Sequence, residues 1–172
     1  SEFEYLTLSD DMCRQGALRF LEAEGAIIRG SAADAVPRLF ELERITAIAR
    51  AYEQGKDITA EDMQALAGAG GSGGARPKAN VRDGDALWLA KFTSVHDQRP
   101  IERVEVATLR LARACGIRTP EVRLELADSL FPVALIKRFD RRGSARIPYI
   151  SARTALGKTG TDYGSYTEIV DF

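Results

Sequence analysis

Lys91 and Glu105, with a glycine run ahead of them, are the residues of this chain whose types and spacing could do chemistry. Between positions 68 and 74 five of seven residues are glycine, and the run leaves through Ala75-Arg76-Pro77-Lys78. Backbone N–H groups converge on a phosphate only where no Cβ intrudes, so such a run suits phosphate binding. It suits a flexible linker as well, although a linker has no need of a stiff Arg76-Pro77-Lys78 exit straight into a strand. The segment matches neither the Walker pattern nor G-x-G-x-x-G in its usual strand context.

The strand Leu87-Trp88-Leu89-Ala90-Lys91-Phe92 sets Lys91 on the face of Leu87 and Leu89, opposite Trp88, Ala90 and Phe92. A lysine ending an apolar face reaches for water or for an anion. An edge lysine that discourages aggregation is the alternative. Further on, Ile101, Val104, Thr108, Leu111, Ala112 and Cys115 recur at helical spacing, and Glu105 lies inside that stripe. An unpaired carboxylate there would cost several kcal/mol, so Glu105 is expected to pair with a cation, and Lys91 is the best-placed one. A helix glutamate holding a strand lysine is how protein kinases aim an ammonium at nucleotide phosphates. An ordinary buried salt bridge is the plainer reading of the same two residues.

These residues need elements to position them. Ala17–Phe20 and Ala26–Ile28 read as short strands around the Glu24-Gly25 turn. Pro37 opens a helix through Tyr52 that Gly55 ends, and Thr59 caps a short helix through Leu66. A hairpin, 78–82 and 86–92, turns around Asp83-Gly84. Pro100 opens a helix through Cys115, with Gly116 as its left-handed exit. Alternation marks strands at Val122–Leu126 and Val133–Phe139, a third is expected at Arg146–Ile150, and Ser151 and Ser165 cap two last helical pieces. The pattern predicts an α+β fold, an antiparallel sheet packed by helices, with residues 1–66 as a lead-in and 67–172 as the nucleotide-binding lobe.

At 172 residues the chain can bury one substantial core. Hydrophobic content of 45% and a net charge of −1 describe an ordinary globular domain with no signature of a nucleic-acid binder. Arg138, Arg141, Arg142 and Arg146 form a local cluster that could meet phosphate or simply keep a hairpin end wet. Two distant cysteines and one histidine build no conventional zinc site, and reduced thiols suit a cytoplasmic protein. No membrane span or signal sequence is visible. His96-Asp97 reads as turn and capping residues, not as a kinase catalytic loop. The chain begins without methionine, which reads as an excerpt of a longer protein.

Gly73-Gly74-Ala75-Arg76-Pro77-Lys78-Ala79 resembles the loop of the HipA-like serine/threonine kinases, toxins of bacterial type II toxin–antitoxin modules. Gln15–Phe20 resembles that family's lead-in, Leu87–Phe92 its lysine strand, and Arg138-Phe139-Asp140-Arg141 its hinge. Ile147–Ala152 and Tyr163–Tyr166 resemble the segments that follow, so the likeness runs from about Tyr5 to the end. The resemblance implies that Gly73, Gly74, Ala75, Arg76, Pro77 and Lys78 cover the phosphates of ATP. Lys91 would contact them, Glu105 would brace Lys91, and the backbone of Lys137, Arg138 and Phe139 would face the adenine. Ser72 is the candidate autophosphorylation site, one residue beyond the family's usual serine position, which Gly71 fills here.

The catalytic and Mg2+-binding aspartates would belong to a second lobe after Phe172. The fragment is therefore expected to hold no catalytic residue or metal site and to be inactive alone. The resemblance further implies a protein serine as substrate, in known members on an aminoacyl-tRNA synthetase. It also implies a helix-turn-helix antitoxin as partner, through which alone DNA would be met. Two alternatives stand beside this reading: a non-catalytic relative for antitoxin docking or autoregulation with a degenerate nucleotide site, and an ATP-using transferase acting on a small molecule.

Overall fold

The computed structural model describes residues 10–28, 36–68 and 76–172. Four strands make one antiparallel sheet: β1 (Lys78–Asp83), β2 (Ala86–Phe92), β3 (Val122–Glu125) and β4 (Val133–Lys137), in spatial order β1-β2-β4-β3. The β1–β2 turn is centred on Gly84-Asp85, one residue later than the Asp-Gly pair suggests, because Asp83 pairs with Ala86 across the hairpin. Gly84 has φ +56°, so the first central position takes the left-handed conformation that tight hairpin turns require.

Register fixes what each face of the sheet presents. Trp88 pairs with Val81 and Lys137, Ala90 with Ala79 and Leu135, and Phe92 with Val133. All of these except Lys137 form one buried cluster with Leu42, Ile45, Ile48 and Ala49 of helix α1 (Leu42–Glu53). Filling that layer with residues such as Trp88, Phe92 and Ile45 stabilises the fold by about 1.5–3 kcal/mol for each large side chain buried. Helix α1, which the sequence places in the lead-in, thus packs in the same core as the sheet. The short helix α2 (Ala60–Gly68) lies against α1 and is tied to it by Arg44, which bonds both Glu61 and Asp62.

The opposite face carries the cross-strand pairs Lys78–Lys91, Asn80–Leu89 and Lys91–Ala134. Helix α3 (Ile101–Ala114) packs against β3 and β4. Its orientation differs from the expected stripe. Val104 is 52% and Leu111 65% exposed, whereas Glu102 and Val106 are buried. The helix is rotated because two of its glutamates find cations on the sheet side, so carboxylates occupy places that hydropathy alone gives to leucine and valine.

The lead-in also differs from its reading. In place of two strands it has a single antiparallel bridge, Leu21 to Ile27, closed by the turn at Gly25. The strand expected at Arg146–Ile150 is a two-residue arm, β6 (Ala145–Arg146), paired with β5 (Arg141–Arg142). Arg141 and Arg146 turn away to bond the lead-in instead of extending the sheet. Helices α4 (Ala152–Ala155) and α5 (Tyr166–Asp171) follow, each capped by the expected serine, Ser151 and Ser165. Among the described residues no helix is long and apolar enough to cross a membrane. The fold is α+β, as the pattern of elements predicts.

Candidate anion-binding site

Strand β2 delivers Lys91 to the α3 side of the sheet, and α3 delivers Glu105 to meet it. Lys91 Nζ lies 2.5 Å from Glu105 Oε1. Their side chains are 27% and 30% exposed, so the pair stands at the rim of the core with one side open to solvent. Directly across the hairpin from Lys91 is Lys78. Like charges opposite each other in a sheet are destabilising, and the effect registers on Lys78. Its ammonium pKa is lowered, first by burial and then by the charges of Lys91 and Arg76. Two ammonium groups thus lie side by side on the α3 face of the sheet, with Glu105 bonded to Lys91.

Arg76, at the entrance to β1, sits differently from a phosphate contact. Its guanidinium donates to Asp97 Oδ1 at 2.9 Å, to Asp97 Oδ2 at 2.5 Å and to Glu102 Oε1 at 3.0 Å. Those two carboxylates raise its pKa, the Asp97 hydrogen bond most. Glu102 is 1% exposed, and its second oxygen accepts from Thr93 Oγ1, which lies 2.9 Å from it and 3.0 Å from Pro132 O. Asp97 also accepts from the Ser94 amide at 2.9 Å, the turn duty expected of His96-Asp97, with the Arg76 pair added to it. Glu102 and Glu105 are three residues apart on one helix, and each holds one cation from β1 or β2.

The expected hinge is the exit of β4. The Lys137 amide donates to Glu121 O and the Arg138 amide to Leu87 O, both at 2.9 Å. Adenine contacts here would therefore have to come from carbonyl groups or from Phe139, which is 64% exposed and whose ring lies tilted against that of Tyr149, centroids 4.8 Å apart. The Lys137 side chain turns to Glu121.

The neighbouring arginines are neither solvated nor open to phosphate, apart from Arg142, which is exposed. Arg138 bonds Asp140 twice, at 2.9 and 2.5 Å, and also Asn80 Oδ1, Cys13 O and Arg14 O. Arg141 bonds Asp140 Oδ2 and the carbonyls of Met12, Arg14 and Gly16, while Arg146 bonds the carboxylate and carbonyl of Asp11. Asp140 in turn accepts the Gly16 amide at 2.7 Å. The cluster is a clasp between the lead-in and the β4 exit. Burial pushes the Cys13 thiol inside it up to about 12.

Of the residues singled out from sequence, the structure brings Lys78 and Lys91 together with Glu105. It turns the Arg76 guanidinium to Asp97 and Glu102, and the Arg138 side chain into the clasp. Ser72, Gly73, Gly74 and Ala75 lie outside the described residues. Glu102, Asp97 and Asp140 were not singled out as site residues by sequence, and a buried acid gives itself away only through its partners. Among the described residues no group of three or more His, Cys, Asp or Glu could hold a metal ion.

The four-stranded sheet and the Lys91–Glu105 pair lie within the part of the chain that matches a known family, the HipA-like C-terminal domain. That family matches residues 70–172, more than half of the chain, and the chain belongs to it. No curated relative and no solved structure gives a match.

Proposed function

We propose that this chain is the nucleotide-gripping lobe of a HipA-like protein serine/threonine kinase, and that the Lys78–Lys91 patch receives the phosphates of ATP. The observation that carries the proposal is the 2.5 Å pair of Lys91 with Glu105 beside a second, cross-strand lysine. A carboxylate that pins one ammonium fixes its direction, and a second ammonium across the strand pair adds to the positive field that a polyanion meets. The donor set suits a triphosphate: Lys78 and Lys91 face each other across the hairpin, near enough for the charge of Lys91 to lower the pKa of Lys78.

Within that assignment Lys91 holds phosphate oxygens, Lys78 adds a second charge, and Glu105 keeps Lys91 from folding back on the sheet. ATP supplies the transferable γ-phosphoryl group; the lobe contributes position and charge. The described residues offer no cluster of three or more His, Cys, Asp or Glu that could hold Mg2+. Family resemblance adds the rest of the proposal: transfer to a protein serine by the complete enzyme, regulation at Ser72, and neutralisation by a DNA-binding antitoxin.

Calorimetric titration of ATP into the 172-residue chain tests the reading. Lys91→Ala is expected to weaken binding about 10–100-fold, the worth of one or two charge-assisted hydrogen bonds. Affinity that is unchanged in the variant would remove Lys91 from the nucleotide site.

A further inference from the structure

Helix α3 presents two glutamates to the sheet, and they do different work. Glu105 meets Lys91 on β2; one turn earlier, buried Glu102 meets Arg76 at the entrance to β1. Arg76 is also clamped by both oxygens of Asp97 on the loop that leads into the same helix. Glu102 is itself fixed from the other side by Thr93 just after β2. Every carboxylate oxygen in this cluster thus has a partner, and the guanidinium is turned toward protein. An arginine held by two carboxylates, one of them nearly inaccessible, is poorly placed to exchange them for a phosphate.

From this geometry we infer that Arg76 is a positioning residue: it ties the start of β1 to the first turn of α3, so that one helix sets the spacing of Lys78 and Lys91. The inference rests on the proposed anion site and deepens it, since it removes Arg76 from the set of direct phosphate contacts. Arg76 lies two residues before Lys78, and Pro77 between them stiffens the link. Movement of α3 relative to the sheet would then shift both lysines at once.

Titrations of the full chain with ATP and with adenosine separate positioning from contact. Arg76→Ala is expected to weaken ATP about tenfold while adenosine changes less than about twofold, since only the phosphate end depends on the lysine pair. Glu102→Gln, which keeps size and the Thr93 contact, is expected to weaken ATP in the same direction. The double variant should be no weaker than Arg76→Ala alone, because both substitutions cut one tie. A direct phosphate contact predicts the reverse for Glu102→Gln: freeing the guanidinium would tighten ATP, and that result overturns the inference. Equal losses for ATP and adenosine overturn it too, as a purely structural role would give. Failure of the unmodified chain to bind ATP would instead strike the proposed site. The tie is then read from hydrogen exchange without nucleotide, where Arg76→Ala should speed exchange across residues 78–83 and Lys91→Ala should not. Unchanged exchange in Arg76→Ala would dispose of the tie itself.

Discussion

Two charged clusters on the same sheet are built on opposite plans. At the lysine pair, one carboxylate serves Lys91 beside a second ammonium, and the side chains are about a third exposed. At the β4 exit five arginines, Arg14, Arg19, Arg138, Arg141 and Arg146, converge on Asp11 and Asp140. The excess positive charge there is absorbed by backbone carbonyls of Met12, Cys13, Arg14 and Gly16. A buried charge network with its bonds filled fixes geometry and has little left to offer a ligand. A half-open one at the rim of the core contributes little to stability and stays within reach of something that arrives from solvent. The difference teaches where to look for binding: at the poorer network.

The strongest way to break the comparison is Arg138→Ala. It strips two bonds from Asp140 and removes the Arg138 donors from Asn80 Oδ1 and from the Cys13 and Arg14 carbonyls, and should cost about 3–5 kcal/mol in urea unfolding. A loss below about 1 kcal/mol would make the two clusters energetically alike.

Acid attacks the same clasp. Burial alone would raise Asp140 and Asp11, but bonds from Arg138 and the Gly16 amide, and from Arg19 with Arg146, hold both below the usual carboxylate value. A depressed folded-state pKa stabilises fully above the unfolded value of about 3.9 and is lost as pH falls below it. Asp10, raised first by its burial, works weakly in the other direction. The Gly16 amide, donated to Asp140, should therefore lose its bonded NMR shift below about pH 4 and keep it from pH 5 to 8. Release at neutral pH would contradict the assignment.

The smallest expected effect sharpens the contrast from the other side. Glu105→Ala should lower stability by less than about 1 kcal/mol, since a partly exposed pair is screened, yet it should cost ATP affinity. Chemical denaturation and titration on one preparation measure both.

The sheet and the Lys91–Glu105 contact were legible because period-two and period-3.6 patterns place side chains by local rules. Glu102 was not, since an acid in a helix's first turn ordinarily serves the helix dipole at the surface. The clasp escaped for another reason. The bonds that join the lead-in to the β4 exit link residues 124 to 135 apart, and many of their acceptors are carbonyl groups, which leave no trace in the order of side chains. The same bonds explain why Arg146–Ile150 alternates like a strand and does not become one.

The hairpin turn at Gly84-Asp85 carries a consequence for how this lobe could fail. Sliding β2 by a single place against its neighbours would exchange the two surfaces of the strand, driving Lys91 among Trp88's companions and lifting Ala90 toward Glu105. A glycine at the opposite end of the hairpin from Lys91 therefore acts as the indexing pin of the molecule: it decides on which side of the sheet a cation emerges at all.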